Sequence, residues 1–169
     1  MLQAGLHNLR QASVRITEVS PRDGLQHESE FVPTLRKISL INALSRTGVA
    51  EIEASSFVSP AAIPQLADSD EVLRAIDRIP GVTYSALVPN ERGLERARAA
   101  GVDKIAVFTA ASNSFTRHNI KATVQESLVR FRPIVAAAKR DGMAVRAYLS
   151  TVVFCPYEGR IAPTQVRDV

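Results

Sequence analysis

The feature that most constrains this sequence is an alternation. Short β-branched, apolar runs recur between longer amphipathic stretches, in the same order from end to end. Residues 14–19 (Val14-Arg15-Ile16-Thr17-Glu18-Val19) read as a strand that runs into the turn residues Pro21-Arg22-Asp23-Gly24. A helix is predicted over 34–46, with Leu35, Ile38, Ile41 or Leu40, and Leu44 on one face and Gly48 as its stop. Strands are predicted over 49–54, 82–88, 104–109 and 144–153. Helices are predicted over 70–79, 91–100 and 123–140, closed by Pro80-Gly81, Gly101 and Asp141-Gly142, with another beginning at Pro163. A βαβαβαβαβ order requires a parallel sheet covered by helices. Two architectures satisfy it: a five-stranded open sandwich, or the first five units of a (β/α)8 barrel, which normally needs about 250 residues. The length of 169 residues favours the sandwich. The loops favour the barrel. Arg22 and Asp23, Ser55 and Ser56, Asn90, Ser112 and Asn113, and Tyr157 and Glu158 all follow strand ends, where barrel enzymes assemble their sites.

Composition narrows the function classes. Hydrophobic residues make up 46% and charged residues 22%, the balance of a folded domain and not of a disordered chain. No apolar run approaches the roughly 20 residues that span a bilayer, so no membrane role is expected. A single cysteine, Cys155, excludes an intrachain disulfide framework. Residues 1–14 lack the apolar stretch of a secretory signal and read as an N-terminal extension, and the expected location is cytoplasmic. The net charge is +4, spread along the chain, and aromatic residues are 5% with no tryptophan. Stacking platforms for bases are therefore scarce, and no nucleic acid partner is expected. A mild basic excess suits an anionic small molecule.

Motif chemistry is informative by omission first. The Gly-rich dinucleotide and P-loop signatures, the hydrolase elbow and zinc spacings are all missing. What remains is Arg22-Asp23-Gly24 at a strand end. Asp23 can offer a hard carboxylate to Mg²⁺ or Mn²⁺, and Arg22 can stabilise an oxyanion. The same residues also read as a plain Pro-x-Asp-Gly turn. Glu18 and Glu53 occupy matching places near the ends of adjacent strands. A carboxylate inside a barrel must be paired, and Arg22 would serve. Both glutamates read equally as solvated charges on outward faces. Cys155 is a candidate mouth thiol or, as lone cysteines more often are, a buried small hydrophobe. The segment 112–119 reads as a polar loop leading into the next helix, with His118 in it; His27 reads as a loop histidine.

Thr17-Glu18-Val19-Ser20-Pro21-Arg22-Asp23-Gly24-Leu25-Gln26 resembles the first-strand signature of the hydroxymethylglutaryl-CoA lyases, with Ser20 where many members have glycine. Ile52-Glu53-Ala54-Ser55-Ser56-Phe57-Val58-Ser59-Pro60 with Ile63-Pro64-Gln65, the segment 108–119, and Cys155-Pro156-Tyr157-Glu158-Gly159 are similar to three further motifs of that family, in the right order. The resemblance runs from Thr17 to Val169. It implies an α/β fold, the (β/α)8 TIM barrel, present here as about its first five βα units, with residues 15–169 forming a partial barrel domain. It implies a metal-dependent retro-Claisen cleavage of 3-hydroxy-3-methylglutaryl-CoA to acetyl-CoA and acetoacetate, the last step of leucine breakdown. By the family pattern Asp23 is a ligand of Mg²⁺ or Mn²⁺, Arg22 stabilises the enolate, and Glu53 supports the site. Gln26 and Asn119 are lesser candidates for contacts to the acyl-CoA substrate. The family's His-x-His, its further Asn ligand and its catalytic cysteine belong to later strands, and Cys155 does not inherit that role. These 169 residues alone are therefore expected to be inactive, and the full-length protein is expected to be a homo-oligomer. A sister acyl-CoA lyase or synthase and a non-catalytic remnant are the alternative readings.

Overall fold

The computed structural model describes residues 14–169; the segment read as an N-terminal extension lies almost wholly outside the described residues. Five parallel strands pair in chain order: β1 (Thr17–Glu18), β2 (Glu51–Ser56), β3 (Thr83–Leu87), β4 (Lys104–Ala110) and β5 (Ala144–Ser150). Successive strands are joined through helices α1 (Thr34–Ser45), α2 (Ser69–Ala75), α3 (Glu91–Ala99), and the pair α4 (Asn113–Ile120) and α5 (Val124–Arg140). A two-stranded antiparallel hairpin, β6 (Phe154–Cys155) and β7 (Gly159–Arg160), and a short helix α6 (Pro163–Arg167) follow. None of the described helices is long and apolar enough to cross a membrane.

Alternation along the strands separates two environments. Ile52, Tyr84, Ala86, Ile105 and Val107 face the helices and form one core with Ile41, Leu73, Leu94 and Ile134. Full burial of each large aliphatic side chain is worth roughly 1.5–3 kcal/mol. The Tyr84 hydroxyl would be costly in that core without partners; it donates to Ser45 Oγ at 2.9 Å and accepts the Ile79 N–H at 3.0 Å. The opposite face is polar. It curls enough for Arg146 on β5 to reach Thr17 on β1, with Nη1 donating to Oγ1 at 3.2 Å. The sheet is thus a half-barrel, as the loop chemistry predicts, and not the flat sandwich that length favours.

Several boundaries differ from those read in the sequence. The first strand shortens to two residues because the chain coils from Ser20 into a π-helical turn, Ser20–Gly24, followed by a 3-10 turn, Leu25–His27. α2 ends at Ala75, where Ile76 turns extended. β5 ends at Ser150 because Thr151 takes φ 57°. The segment read as a polar loop is helix α4, whose Ser112 cap accepts the Phe115 N–H. Gly101 and Gly142 do close α3 and α5, at φ 69° and 75°, values that favour glycine.

Candidate active site

The π-helical turn after β1 decides where the site forms. Its wide coil is anchored by the Asp23 N–H on the Val19 carbonyl at 2.7 Å and buries Pro21. Arg22 and Asp23 are thereby carried to the C-terminal end of the strands beside β2. The Arg22 side chain is only 13% exposed and meets Glu53, which is fully buried on β2. Arg22 Nε donates to Glu53 Oε1 at 2.5 Å and Nη1 donates to Asp23 Oδ1 at 2.6 Å. The guanidinium is therefore fixed on two sides. Gln26 Nε2 also donates to Asp23 Oδ1, at 3.3 Å. The Asp23 carboxylate remains half exposed, at 51%.

A third side chain completes this cluster from across the curled sheet. Tyr148 on β5 donates its hydroxyl to Glu53 Oε2 at 2.7 Å. Both Glu53 oxygens are thus occupied, which resolves the burial cost of its charge. Burial pushes the Tyr148 hydroxyl above its ordinary pKa; the Glu53 carboxylate adds to this and Arg146 opposes it. Sequence reading missed Tyr148. The available signal was Arg146-x-Tyr148, two polar residues at strand period in an otherwise apolar run.

Glu18 does not join them. It pairs in register with Ile52, one place from Glu53, so it lies on the other side of the sheet. Its carboxylate accepts the Ser20 N–H at 2.8 Å, and the hydrogen bonds from Ser20 hold it below the usual range. Asn119 lies exposed near the end of α4, with no hydrogen bond to the Arg22–Glu53 group among the described residues. His27 Nδ1 sits 2.7 Å from the Asp23 carbonyl. Cys155 is fully buried, packed with Ala111 and Ile161. Burial raises its thiol pKa, but hydrogen bonds from Ser112 and the Tyr157 and Glu158 N–H groups outweigh that and leave it lowered.

The donor set bears directly on metal binding. Asp23 is a half-exposed oxygen donor of the kind Mg²⁺ and Mn²⁺ take, while Glu53 is spent on Arg22 and Tyr148. Among the described residues no group of three His, Cys, Asp or Glu side chains is placed to hold an ion. The residues present therefore fit one corner of a coordination sphere and not a whole one.

Comparison with known proteins places this arrangement. The mitochondrial hydroxymethylglutaryl-CoA lyase of Bos taurus is 51% identical over 156 residues, 92% of this chain and 48% of that protein. A cytoplasmic 3-hydroxy-3-methylglutaryl-CoA lyase of Danio rerio is also 51% identical, across 47% of its length. The chain spans about half the length of the curated relatives it matches. The crystal structure of the HMG-CoA lyase from Brucella melitensis superposes with a TM-score of 0.90 at 54% identity, covering 92% of this chain and 55% of that one. An HMG-CoA lyase from Acinetobacter baumannii, in complex with coenzyme A and 3-methylmalate, superposes at 0.87 with 40% identity, over 91% and 50% of the two chains. The family model described as HMGL-like matches residues 13–169, and with the half-barrel and these likenesses it establishes that the chain belongs to the HMGL-like family.

Proposed function

We propose that residues 15–169 form one barrel-derived domain carrying the arginine side of a carbon–carbon lyase site, and that the protein cleaves 3-hydroxy-3-methylglutaryl-CoA to acetyl-CoA and acetoacetate. The observation that carries this reading is the fixed guanidinium of Arg22, held by buried Glu53 and by Asp23 in a chain about half identical to HMG-CoA lyases. A retro-Claisen cleavage removes the tertiary hydroxyl proton, breaks the C–C bond and leaves an acetyl-CoA enolate to be protonated. Negative charge grows on the thioester oxygen as the bond breaks. A preorganised cation lowers that barrier, because it needs no reorientation during reaction. Arg22 Nε and Nη1 are engaged by Glu53 and Asp23, while Nη2 has no hydrogen-bond partner among the described residues and is left for a ligand oxygen. Tyr148 keeps Glu53, and through it Arg22, in place. Gln26 steadies Asp23, and exposed Asn119 is open to the acyl-CoA.

A bound Mg²⁺ or Mn²⁺ would polarise substrate oxygens, with Asp23 as one of its ligands. The acyl-CoA substrate draws support from the coenzyme A held by the Acinetobacter relative. A cytoplasmic location draws support from the Danio rerio relative, and a homo-oligomeric state and a place in leucine breakdown belong to the same reading. The test is turnover of a panel of acyl-CoA esters by the natural protein, with products identified. Acetyl-CoA and acetoacetate are expected from 3-hydroxy-3-methylglutaryl-CoA. Arg22→Gln should reduce kcat by about a thousandfold with the fold retained. Near-normal turnover in that variant, or cleavage of a different ester only, would overturn the reading.

A further inference from the structure

A lysine is buried between two loops that follow β1 and β2, and nothing proposed so far uses it. Lys37, on the first turns of α1, is 3% exposed. Its Nζ donates to the Gln65 carbonyl at 2.5 Å and to Asp68 Oδ1 at 2.6 Å, and lies 4.0 Å from the centre of the Phe31 ring. Each partner belongs to a loop at the C-terminal end of a strand. Phe31 lies in the connection from β1 to α1; Gln65 and Asp68 lie in the connection from β2 to α2.

The contacts continue toward Arg22. Gln65, whose carbonyl the lysine holds, donates its side-chain N–H to the Glu28 carbonyl at 2.9 Å. Asp68 accepts the Thr34 hydroxyl at 2.8 Å, at the first residue of α1. Segment 28–33 has no regular structure and is thus fastened at Glu28, Phe31 and Thr34 by one buried ammonium and its two partners. Glu28 in turn closes the 3-10 turn onto the Leu25 carbonyl, and that turn carries Gln26 and His27, both bonded to Asp23. Burying an ammonium is costly, and full pairing with short charge-assisted bonds is what makes it tolerable. An apolar residue would fill the same space, but it would not join the two loops.

We propose that Lys37 is a positioning residue: its ammonium clasps the β1–α1 and β2–α2 loops together and so fixes the turn that presents Arg22, Asp23 and Gln26. The catalytic consequence rests on the proposed lyase reading; the clasp itself does not. The experiment compares the natural protein with Lys37→Met, which keeps the apolar stem, and with Asp68→Asn, a milder change. Amide hydrogen exchange is followed by peptide and turnover is measured in parallel. Loss of the clasp should speed exchange about tenfold at the bonded N–H groups of Asp23, Leu25 and Glu28 and in segment 62–67, with β3 and β4 unchanged. It should lower kcat about tenfold and change KM for the acyl-CoA less than twofold. Unchanged exchange over 22–28, or loss of protection spread evenly over the sheet, overturns the proposal. So does normal kcat despite a loosened turn. If the unmutated protein turns over no ester, the lyase reading fails, and the exchange pattern alone decides whether Lys37 clasps the loops.

Discussion

Asp23 is the residue of the site whose neighbours leave it most open. Arg22 and Gln26 both use its Oδ1, and the carboxylate stays 51% exposed. Glu53, by contrast, spends both oxygens and has none to give a metal. Asp23→Ala should therefore weaken Mg²⁺ and Mn²⁺ binding in the natural protein by at least about tenfold, because a hard cation loses an oxygen ligand. Titration calorimetry reads this directly, and unchanged affinity would remove Asp23 from the ligand set. Arg22, Asp23 and Glu53 were legible in the sequence because each falls in a compact motif, although Glu53, read near the end of its strand, lies inside β2, which runs on to Ser56. Tyr148 was not, since its contact with Glu53 spans 95 positions and exists only because the sheet curls. Lys37 was also hidden. It falls beside the apolar positions of an amphipathic helix, where a lysine reads as solvated.

At the scale of elements, strands and helices with local signals were readable, and those held by distant contacts were not. α5 has a full capping box between Thr123 and Glu126, and its start agrees with the reading of the sequence to within one residue. α4 has few apolar residues and depends on the β6–β7 hairpin. The His118 and Tyr157 rings stack at 4.2 Å, and the Ser114 N–H donates to Glu158 at 2.7 Å. Neither contact is visible from segment 112–119 by itself. α3 shows the opposite conflict, where tertiary packing sets a residue against helix propensity. Gly93 lies inside it, and an added Cβ would sit 3.1 Å from Pro89 Cδ and 3.3 Å from the Phe57 carbonyl oxygen. Alanine should gain about 1 kcal/mol of helix propensity. Forcing α3 away from the loop that follows β2 costs about 1–3 kcal/mol. Gly93→Ala is therefore expected to destabilise the protein by about 1 kcal/mol net in urea unfolding. A stabilised variant would show that the contact yields freely.

The whole molecule is organised by the unlike faces of its sheet. The helix side is an apolar core, and the concave side is an ionic lattice that links strands distant in sequence. Glu51 on β2 is its hub. Oε2 accepts from Lys104 on β4 at 2.8 Å and lies 3.6 Å from Arg146 on β5, while Oε1 accepts from Ser85 on β3 at 3.1 Å. Glu51 is fully buried, and burial raises its carboxyl pKa. The hydrogen bonds from Lys104 and Ser85, with the charges of Lys104 and Arg146, outweigh this and hold it below the ordinary glutamate value. A group with a depressed folded-state pKa stabilises the fold above its unfolded value and loses that contribution as pH falls through the folded one. Glu51→Gln strands two cations inside the curl, so at neutral pH it should cost about 3 kcal/mol. The difference from the wild type should then begin to shrink as pH falls below the ordinary glutamate value of about 4.3, where the unfolded chain takes up the proton, and should be lost only below the lower folded-state value, where Glu51 itself becomes neutral like the glutamine. Urea midpoints of both proteins between pH 7 and pH 3 measure it. A difference that stays constant across that range would mean that the carboxylate charge at position 51 does not hold the strands together.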